Sequence, residues 1–309
     1  MNISIIIPNY NGKELLEKNL PAVKNAVDNY LKEHKGKIEI VVVDDASLDE
    51  SVKVLSSLKY IRLLRNEKNH GFSSAVNRGV RESIGEIFVL LNSDVAPDEN
   101  FLSPLVKHFD DEKIFAVGCM DRSIEGNLTV MRGRGLGQWK RGLLVHRKGD
   151  IDETDTFWVN GGSGCFRRSI WNKLGGFNEL YRPFYWEDID ISYRAMKSGF
   201  KIFFEPKSVV THFHEKGAIK NKFSNKYIET ISYRNQILFV WLNITDRIYL
   251  ISHAYWIMRY LFRAIVRFDT IYLVGFFQAV SKIPQVLQSR SHNAKTFIRK
   301  DKEVLAMFK

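Results

Sequence analysis

The chain has 309 residues, 45% hydrophobic and 26% charged. That composition excludes disorder as the default, and the length allows one large domain or a domain with a substantial appendage. The net charge of +11 suggests nucleic-acid binding until it is located: residues 1–215 hold 30 basic and 30 acidic side chains, whereas 216–309 hold 16 and 5. A basic, aromatic, apolar tail on a neutral body points first to an anionic surface such as a bilayer. Nucleic acid is disfavoured because no recognised module is present. Cys119 and Cys165 form no disulfide framework or zinc spacing and are expected as buried small side chains in a reducing compartment. No stretch reaches the ~18 uninterrupted apolar residues of a membrane span. The N-terminus runs directly into Ile3-Ser4-Ile5-Ile6-Ile7 without a basic n-region, so no secretory signal is expected.

In chain order, Ile3–Ile7, Ile38–Val43, Ile61–Leu64 and Ile87–Leu91 are predominantly apolar, without strict alternation, and read as buried strands. Amphipathic segments Lys13–Lys35, Ser47–Leu58 and Ser73–Ser83 lie between them, which predicts a parallel sheet with helices on both faces. From about 120 to 157 the chain is rich in charge and glycine (Gly133, Gly135, Gly137, Gly142) and predicts loops or a short hairpin, a flexible region over the acceptor side. Trp158–Arg167 reads as a strand or turn around Gly161-Gly162-Ser163-Gly164. A helix is expected near Trp186-Glu187-Asp188, and strands at Ile202–Phe204 and Val209–Thr211. Tyr227–Leu242, Asp246–Phe268 and Thr270–Leu287 are helical in pattern. Arg259, Arg263 and Arg267 form a basic stripe there, with Trp256, Tyr260 and Phe262 on or beside it.

Ligands of open parallel sheets bind beyond the carboxyl ends of the strands. The residues there are Pro8-Asn9-Tyr10-Asn11, Asp44-Asp45, Arg65-Asn66 and Asn92-Ser93-Asp94. Residues of these types at one sheet edge can hold a divalent metal on hard oxygen ligands and set a carboxylate to deprotonate a hydroxyl.

Several motifs carry a closer resemblance. Ile5-Ile6-Ile7-Pro8-Asn9-Tyr10-Asn11, Val41-Val42-Val43-Asp44-Asp45-Ala46-Ser47, Asn69-His70-Gly71-Phe72, Asn77-Arg78-Gly79 and Leu90-Leu91-Asn92-Ser93-Asp94 are followed by Gly161-Gly162-Ser163-Gly164, Gly175-Gly176-Phe177, Glu187-Asp188-Ile189-Asp190 and Val210-Thr211-His212. In this order, over roughly residues 1–215, the chain resembles the family-2 inverting glycosyltransferases of GT-A fold, a Rossmann-like, mostly parallel α/β sheet flanked by helices. Within the family it is similar to bacterial rhamnosyltransferase-like enzymes of surface polysaccharide synthesis.

The resemblance implies a catalytic domain over 1–215, with its donor half at about 1–100 and its acceptor half at about 101–215. A helical, basic, membrane-associating region follows over 216–309. Pro8, Asn9 and Tyr10 would shape the base pocket, and Asp44 would accept the N3–H of uracil or thymine. Asn69, Gly71, Asn77, Asn92, Ser93 and Asp94 complete the donor set. Asn92 stands where the usual D-x-D has its first acid; as an uncharged amide it would bond ribose or phosphate. Asp94 would then hold Mn²⁺ or Mg²⁺ with His212, although His214, two residues on, is an alternative. Asp188 would be the general base, kept ionised by the helix N-terminus. Gly161, Gly162, Trp186 and Glu187 would meet the acceptor, a glycan or polyprenyl-linked glycan. The donor would be a UDP- or dTDP-sugar, and the enzyme cytoplasmic and peripheral on the inner membrane face, docked through 227–309.

Structural roles compete at several positions. Asp44-Asp45 could cap a helix, Asn92-Ser93-Asp94 could be a turn, Asp188 an N-cap, His212 a structural histidine and the glycine run a packing turn. Asp190 and Arg194, spaced i, i+4, are expected as an ordinary ion pair. A nucleotidyltransferase is disfavoured because Pro8-Asn9-Tyr10-Asn11-Gly12 lacks a Gly- and Arg-rich phosphate loop. A dehydrogenase is disfavoured for want of G-x-G-x-x-G. A membrane-docked binding scaffold without transfer activity is the non-enzymatic alternative.

Overall fold

The structure, a computed structural model, describes residues 1–213 and 223–308. Its first half alternates β1 (Ile3–Asn9), α1 (Lys13–Glu33), β2 (Ile38–Asp44), α2 (Ser51–Ser57), β3 (Ile61–Arg65), α3 (Phe72–Glu82) and β4 (Ile87–Leu91). Strands β3, β2, β1 and β4 pair in parallel in that order. Alternation along each strand feeds two cores. Ile3, Ile5, Ile7, Val89 and Leu91 pack with Leu16, Leu20 and Val23 of α1, while Ile6, Phe88 and Leu90 face Ala75, Val76 and Val80 of α3. Both faces are covered over β1, β2 and β4, so these strands are mostly apolar, whereas the edge strand β3 exposes Arg62 and Arg65.

The rest of the sheet, over the part expected to face the acceptor, is mixed in direction. It contains β5 (Val95–Pro97), α4 (Leu102–Val106), β6 (Ile114–Glu125), β7 (Leu128–Arg132), β8 (Gly135–Lys140), β9 (Leu143–Lys148), β10 (Ser163–Arg167), α5 (Arg168–Leu174), α6 (Glu187–Lys197) and β11 (Lys201–Phe213). Among the described residues the main sheet runs β3-β2-β1-β4-β10-β6-β11-β5, with β7 on β6. Strand β10 is antiparallel to β4 and β6, β11 is parallel to β6, and β5 is antiparallel to β11. The expected strands at 202–204 and 209–211 are one strand, bulged between Glu205 and Val209 around Pro206. The 120–157 stretch is built of paired strands rather than the expected loops. Its β8–β9 hairpin turns at Arg141 (φ 49°) and Gly142 (φ 78°), the positive-φ pair of a tight two-residue turn.

Beyond residue 223 come α7 (Asn225–Asn243), α8 (Arg247–Val266), α9 (Thr270–Val280), α10 (Ile283–Ala294) and α11 (Asp301–Ala306). The expected helix at 270–287 is two, broken at Ser281-Lys282 before Pro284, where a continuous helix would lose a hydrogen bond and clash. Residues of α7 lie in the same core as the preceding α/β part: Leu238, Phe239 and Leu242 pack with Trp186, Ile191 and Tyr193. The fully buried Asp301 of α11 bonds Lys197 of α6 at 2.8 Å and Tyr193 at 2.6 Å. Removing one partner of such a buried pair strands the other charge, so this contact ties the last helix to α6.

Candidate active site

The carboxyl ends of β1, β2 and β4 lie on one edge of the sheet, as the sequence predicts. Asp44, 1% exposed, takes hydrogen bonds from Asn9 Nδ2 (2.9 Å), Ser47 N (3.0 Å) and Ser47 Oγ (2.5 Å). Three of a carboxylate's roughly four acceptor positions are thereby filled. Asp45 takes Asn66 Nδ2 (2.6 Å), His70 N (3.0 Å) and Gly71 N (2.7 Å), so it clamps the loop leading into α3. Both aspartates therefore organise loops, a duty the sequence suggests for Asp45 more than for Asp44. Pro8 and Tyr10 are half-buried beside them, and Asn69 is exposed on the clamped loop.

Asn92-Ser93-Asp94 follows β4 directly. Asn92 N donates to Gly162 O at 2.9 Å, and Asn19 Nδ2 of α1 donates to Ser93 O at 2.8 Å. A Cβ on Gly162 would collide with the Asn92 amide, so glycine is required where the two loops touch. On the other side of that glycine pair, Gly161 N lies 3.4 Å from Asp188 Oδ2. Gly161-Gly162 is thus the bridge between the β4 motif and the carboxylate expected to be the base.

His212 on β11 pairs in register with Val95 on β5, which brings its ring over Asp94. Nε2 is 3.2 Å from Asp94 Oδ2, and Nδ1 is 3.1 Å from Asp121 Oδ2. Burial works against the imidazolium, but the hydrogen bonds and charges of Asp121 and Asp94 outweigh it and lift the His212 pKa to about 9. Asp94 and His212 offer one carboxylate oxygen and one imidazole nitrogen, a donor pair that suits Mn²⁺. Asp121 sits on the far ring nitrogen, the position of the carboxylate that orients a metal-binding histidine. Among the described residues no three acidic, histidine or cysteine groups form a complete metal cage. His214 lies outside the described residues.

Asp188 is the second residue of α6. The helix starts from a strained turn: Tyr185 and Trp186 have φ of 72° and 80°, values that bulky side chains rarely adopt. Asn235 of α7, fully buried, holds this turn with its amide, donating to the carbonyls of Tyr181 (2.8 Å), Phe184 (2.9 Å) and Tyr185 (2.9 Å). Arg234 bonds the Tyr181 and Arg182 carbonyls beside it. The expected Asp190–Arg194 pair is present, with Nε donating to Oδ2 at 2.7 Å. It is also fully buried, with Tyr181 Oη and Asn243 Nδ2 on the other oxygen, so it locks α6 to α7.

Glu187 is 7% exposed, and its Oε2 has no hydrogen-bond partner. Burial and the adjacent Asp188 charge push its pKa up to about 8. Burial also raises Asp188, against bonds from Ile189 N (2.8 Å) and Gly161 N. The pair keeps its proton on Glu187 and its charge on Asp188, and an Asp raised from its ordinary value is a stronger base.

Two expected contacts are placed differently. Trp186, expected at the acceptor, is 5% exposed and packs edge-on to His146 and against Phe239 in the core. Asn77, expected at the donor, has both ends of its amide on the main chain of Phe177, at 2.9 Å each. Its requirement for an amide is met by that brace between α3 and the segment before α6. Asp121 and Asn235 are absent from the sequence reading. Asp121 carries a local signal, a carboxylate directly after the apolar run Phe115–Met120; Asn235 carries none.

Removing the Asn235 amide takes the donor from the Phe184 and Tyr185 carbonyls, while Tyr181 O keeps Arg234. Asn235→Ala is expected to lose about 2–4 kcal/mol in a denaturant melt and to lower turnover more than donor affinity. Unchanged stability and turnover would remove the turn from the account. Glu187 has a folded-state pKa above the ordinary carboxyl value, so the stability it contributes is present at low pH and lost as pH rises through about 8. Glu187→Gln, neutral at every pH, should lose less Tm than the parent between about pH 5 and about pH 9. Equal slopes would contradict the buried proton.

The match to known proteins agrees with this geometry. The family model "Glycosyl transferase family 2" matches residues 4–174. The O-antigen chain rhamnosyltransferase RfbN of Salmonella typhimurium is 26% identical over 220 residues, 69% of this chain and 67% of that protein. A dolichol-phosphate mannosyltransferase of Pyrococcus furiosus is 36% identical over 123 residues, 38% of this chain and 33% of that protein. The chain thus spans only a third of the mannosyltransferase's length. Among solved structures, GalNAc-T7 with UDP, GalNAc and Mn²⁺ superposes with a TM-score of 0.63 at 21% identity, over 80% of this chain and 48% of that one. S. aureus TarS 1–349 with UDP gives 0.57 at 13% identity, over 100% and 91%. These likenesses carry the GT-A fold, and with the family match over more than half its length the chain belongs to glycosyl transferase family 2.

Proposed function

We propose that the protein is an inverting, metal-dependent transferase that moves a sugar from a UDP- or dTDP-sugar to a hydroxyl of a glycan or lipid-linked glycan in cell-surface polysaccharide synthesis. The observation that carries this reading is the Gly161-Gly162 bridge, which sets Asp188 beside the Asn92-Ser93-Asp94 turn. Asp188 takes the proton of the acceptor hydroxyl as the oxygen attacks the anomeric carbon. Asp94 and His212 hold Mn²⁺ or Mg²⁺, which when bound neutralises the leaving diphosphate. Asn92 faces ribose or phosphate, and Asp44 uses its remaining lone pair on the pyrimidine N3–H. Gly161, Gly162 and the protonated Glu187 line the acceptor side. The UDP bound in GalNAc-T7 and in TarS supports a nucleotide-sugar donor. The enzyme works at an anionic membrane surface, where a lipid-linked acceptor would lie, a reading supported by the basic excess of residues 216–309. No described helix is long and apolar enough to cross that membrane.

The test is transfer or donor hydrolysis across UDP- and dTDP-sugars with Mn²⁺ or Mg²⁺. Asp188→Asn should lower turnover by about 10²–10⁴-fold while nucleotide binding persists. Asp94→Ala should lose the metal-dependent part of nucleotide binding, read as a vanished thermal shift. Undiminished turnover in both variants would overturn the assignment.

A further inference from the structure

Helix α8 carries two faces of opposite kind from the ones its sequence suggests. The inner face seats on the β8–β9 hairpin. His253 Nδ1 donates to Gly142 O at 2.7 Å, Tyr260 Oη to Arg141 O at 3.0 Å, and Trp139 Nε1 to Ser252 Oγ at 3.3 Å. Trp241 Nε1 donates to His253 Nε2 at 2.9 Å, which fixes that ring as the tautomer with hydrogen on Nδ1. Trp256 and Tyr260, read from sequence as partners of a surface stripe, are therefore turned toward the hairpin and α9, with Trp256 against Arg141 and Tyr260 against Tyr272.

The outer face is apolar. Ile248, Ile251, Tyr255, Met258, Phe262 and Ile265 recur at alternating spacings of three and four, so they share one side of the helix. All six are 56–72% exposed. Beyond the helix end, Phe268 is 86% exposed. Contiguous exposed apolar surface of this kind marks an interaction face.

Charge decides the occupant. Between Asp246 and Asp269 there is no acidic residue, while Arg247, Arg259, Arg263 and Arg267 lie in or directly after the helix. A second copy of the chain would set these like-charged flanks against each other, which disfavours self-association. An anionic bilayer satisfies both features at once, taking the apolar side chains among its acyl chains and the guanidinium groups among its phosphates. Because the inner face is committed to the hairpin, the helix cannot be lipid-wrapped on all sides and must lie in the plane of the surface.

We propose that α8 is an in-plane insertion helix, entering one leaflet of an anionic membrane through Ile248, Ile251, Tyr255, Met258, Phe262 and Ile265. This rests on the membrane reading above and adds the element, the face and the mode of binding. The hairpin links this helix to the catalytic region, since His146 on β9 contacts Trp158 and Trp186 at the start of α6. Docking α8 therefore holds the mouth of the acceptor side at a fixed height over the lipid headgroups.

The experiment uses the full chain with phosphatidylcholine vesicles, with and without phosphatidylglycerol. The parent should float with the anionic vesicles. The triple variant Ile251→Ser, Met258→Ser, Phe262→Ser changes only exposed side chains and should lose about a hundred-fold in partitioning while its thermal melt is kept. Arg259→Gln with Arg263→Gln should lose the preference for phosphatidylglycerol. A polarity-sensitive dye on Phe262→Cys should shift to the blue on anionic vesicles, and the same dye on Lys35→Cys should not. The native thiols do not compete, because Cys119 and Cys165 are buried. If the parent floats but the triple variant floats equally and the Phe262 dye stays in water, the insertion face is wrong while the membrane reading stands. If the parent fails to float, the membrane reading fails and this inference with it. A parent dimer that the triple variant splits would make the face a protein interface and overturn the proposal.

Discussion

The amide of Asn235 holds a turn that the backbone would not adopt by itself, and the placement of Asp188, the proposed base, depends on it. Tyr185 and Trp186 both sit at positive φ, each costing about 1–3 kcal/mol for a bulky side chain. The two N–H groups of this one buried amide, shared among three carbonyls, contribute about 1 kcal/mol each before the cost of leaving them unmade, which offsets part of that strain. The turn starts α6 at an angle that sets Asp188 against Gly161. The partner of this turn comes from α7, so the helices beyond residue 223 brace the site as well as extending the chain. Asn243 to Asp190 and Asp301 to Lys197 repeat the arrangement further along α6.

The same logic of shared boundaries runs through the site. Gly162 is small so that Asn92 can approach, and a Cβ on Gly161 would crowd the Phe177 ring beside Asp188. On one side of the bridge His212 lies between two carboxylates and holds a proton strongly; on the other, Glu187 holds a proton because nothing solvates its charge. The first proton must leave before a cation can take the Nε2 lone pair. The second leaves Asp188 as the charged member of its pair, with no second anion to compete for the acceptor's proton.

Strands β1, β2 and β4 were legible in the sequence because they are largely buried on both faces and so are dominated by aliphatic residues, and β3 at the sheet edge kept enough of that pattern to be read. The expected site edge followed from their order. Local patterning also located α1, α3 and the Asp190–Arg194 pair. What stayed hidden depends on contacts between distant segments. Asn77 looks like a ligand residue until Phe177, a hundred positions away, is placed against it. Trp186 beside two acids looks like a sugar platform until α7 supplies Phe239 to cover it. Asn235 lies in an unremarkable helical stretch, and no spacing rule connects it to residues 181–185. The basic stripe on α8 was visible, but which aromatic side chains face outward required knowing that the β8–β9 hairpin occupies the other side.

The central claim is that Asp188 drives a single displacement on the face opposite the leaving diphosphate. The anomeric configuration of the transferred sugar, read by NMR from the one-bond carbon–proton coupling of the product made from a donor of known configuration, tests it most directly. The account expects an inverted product, with α-linked donor giving β-linked sugar or the converse. Retention would require a covalent or front-face route that Asp188, as placed, does not provide, and would contradict the account.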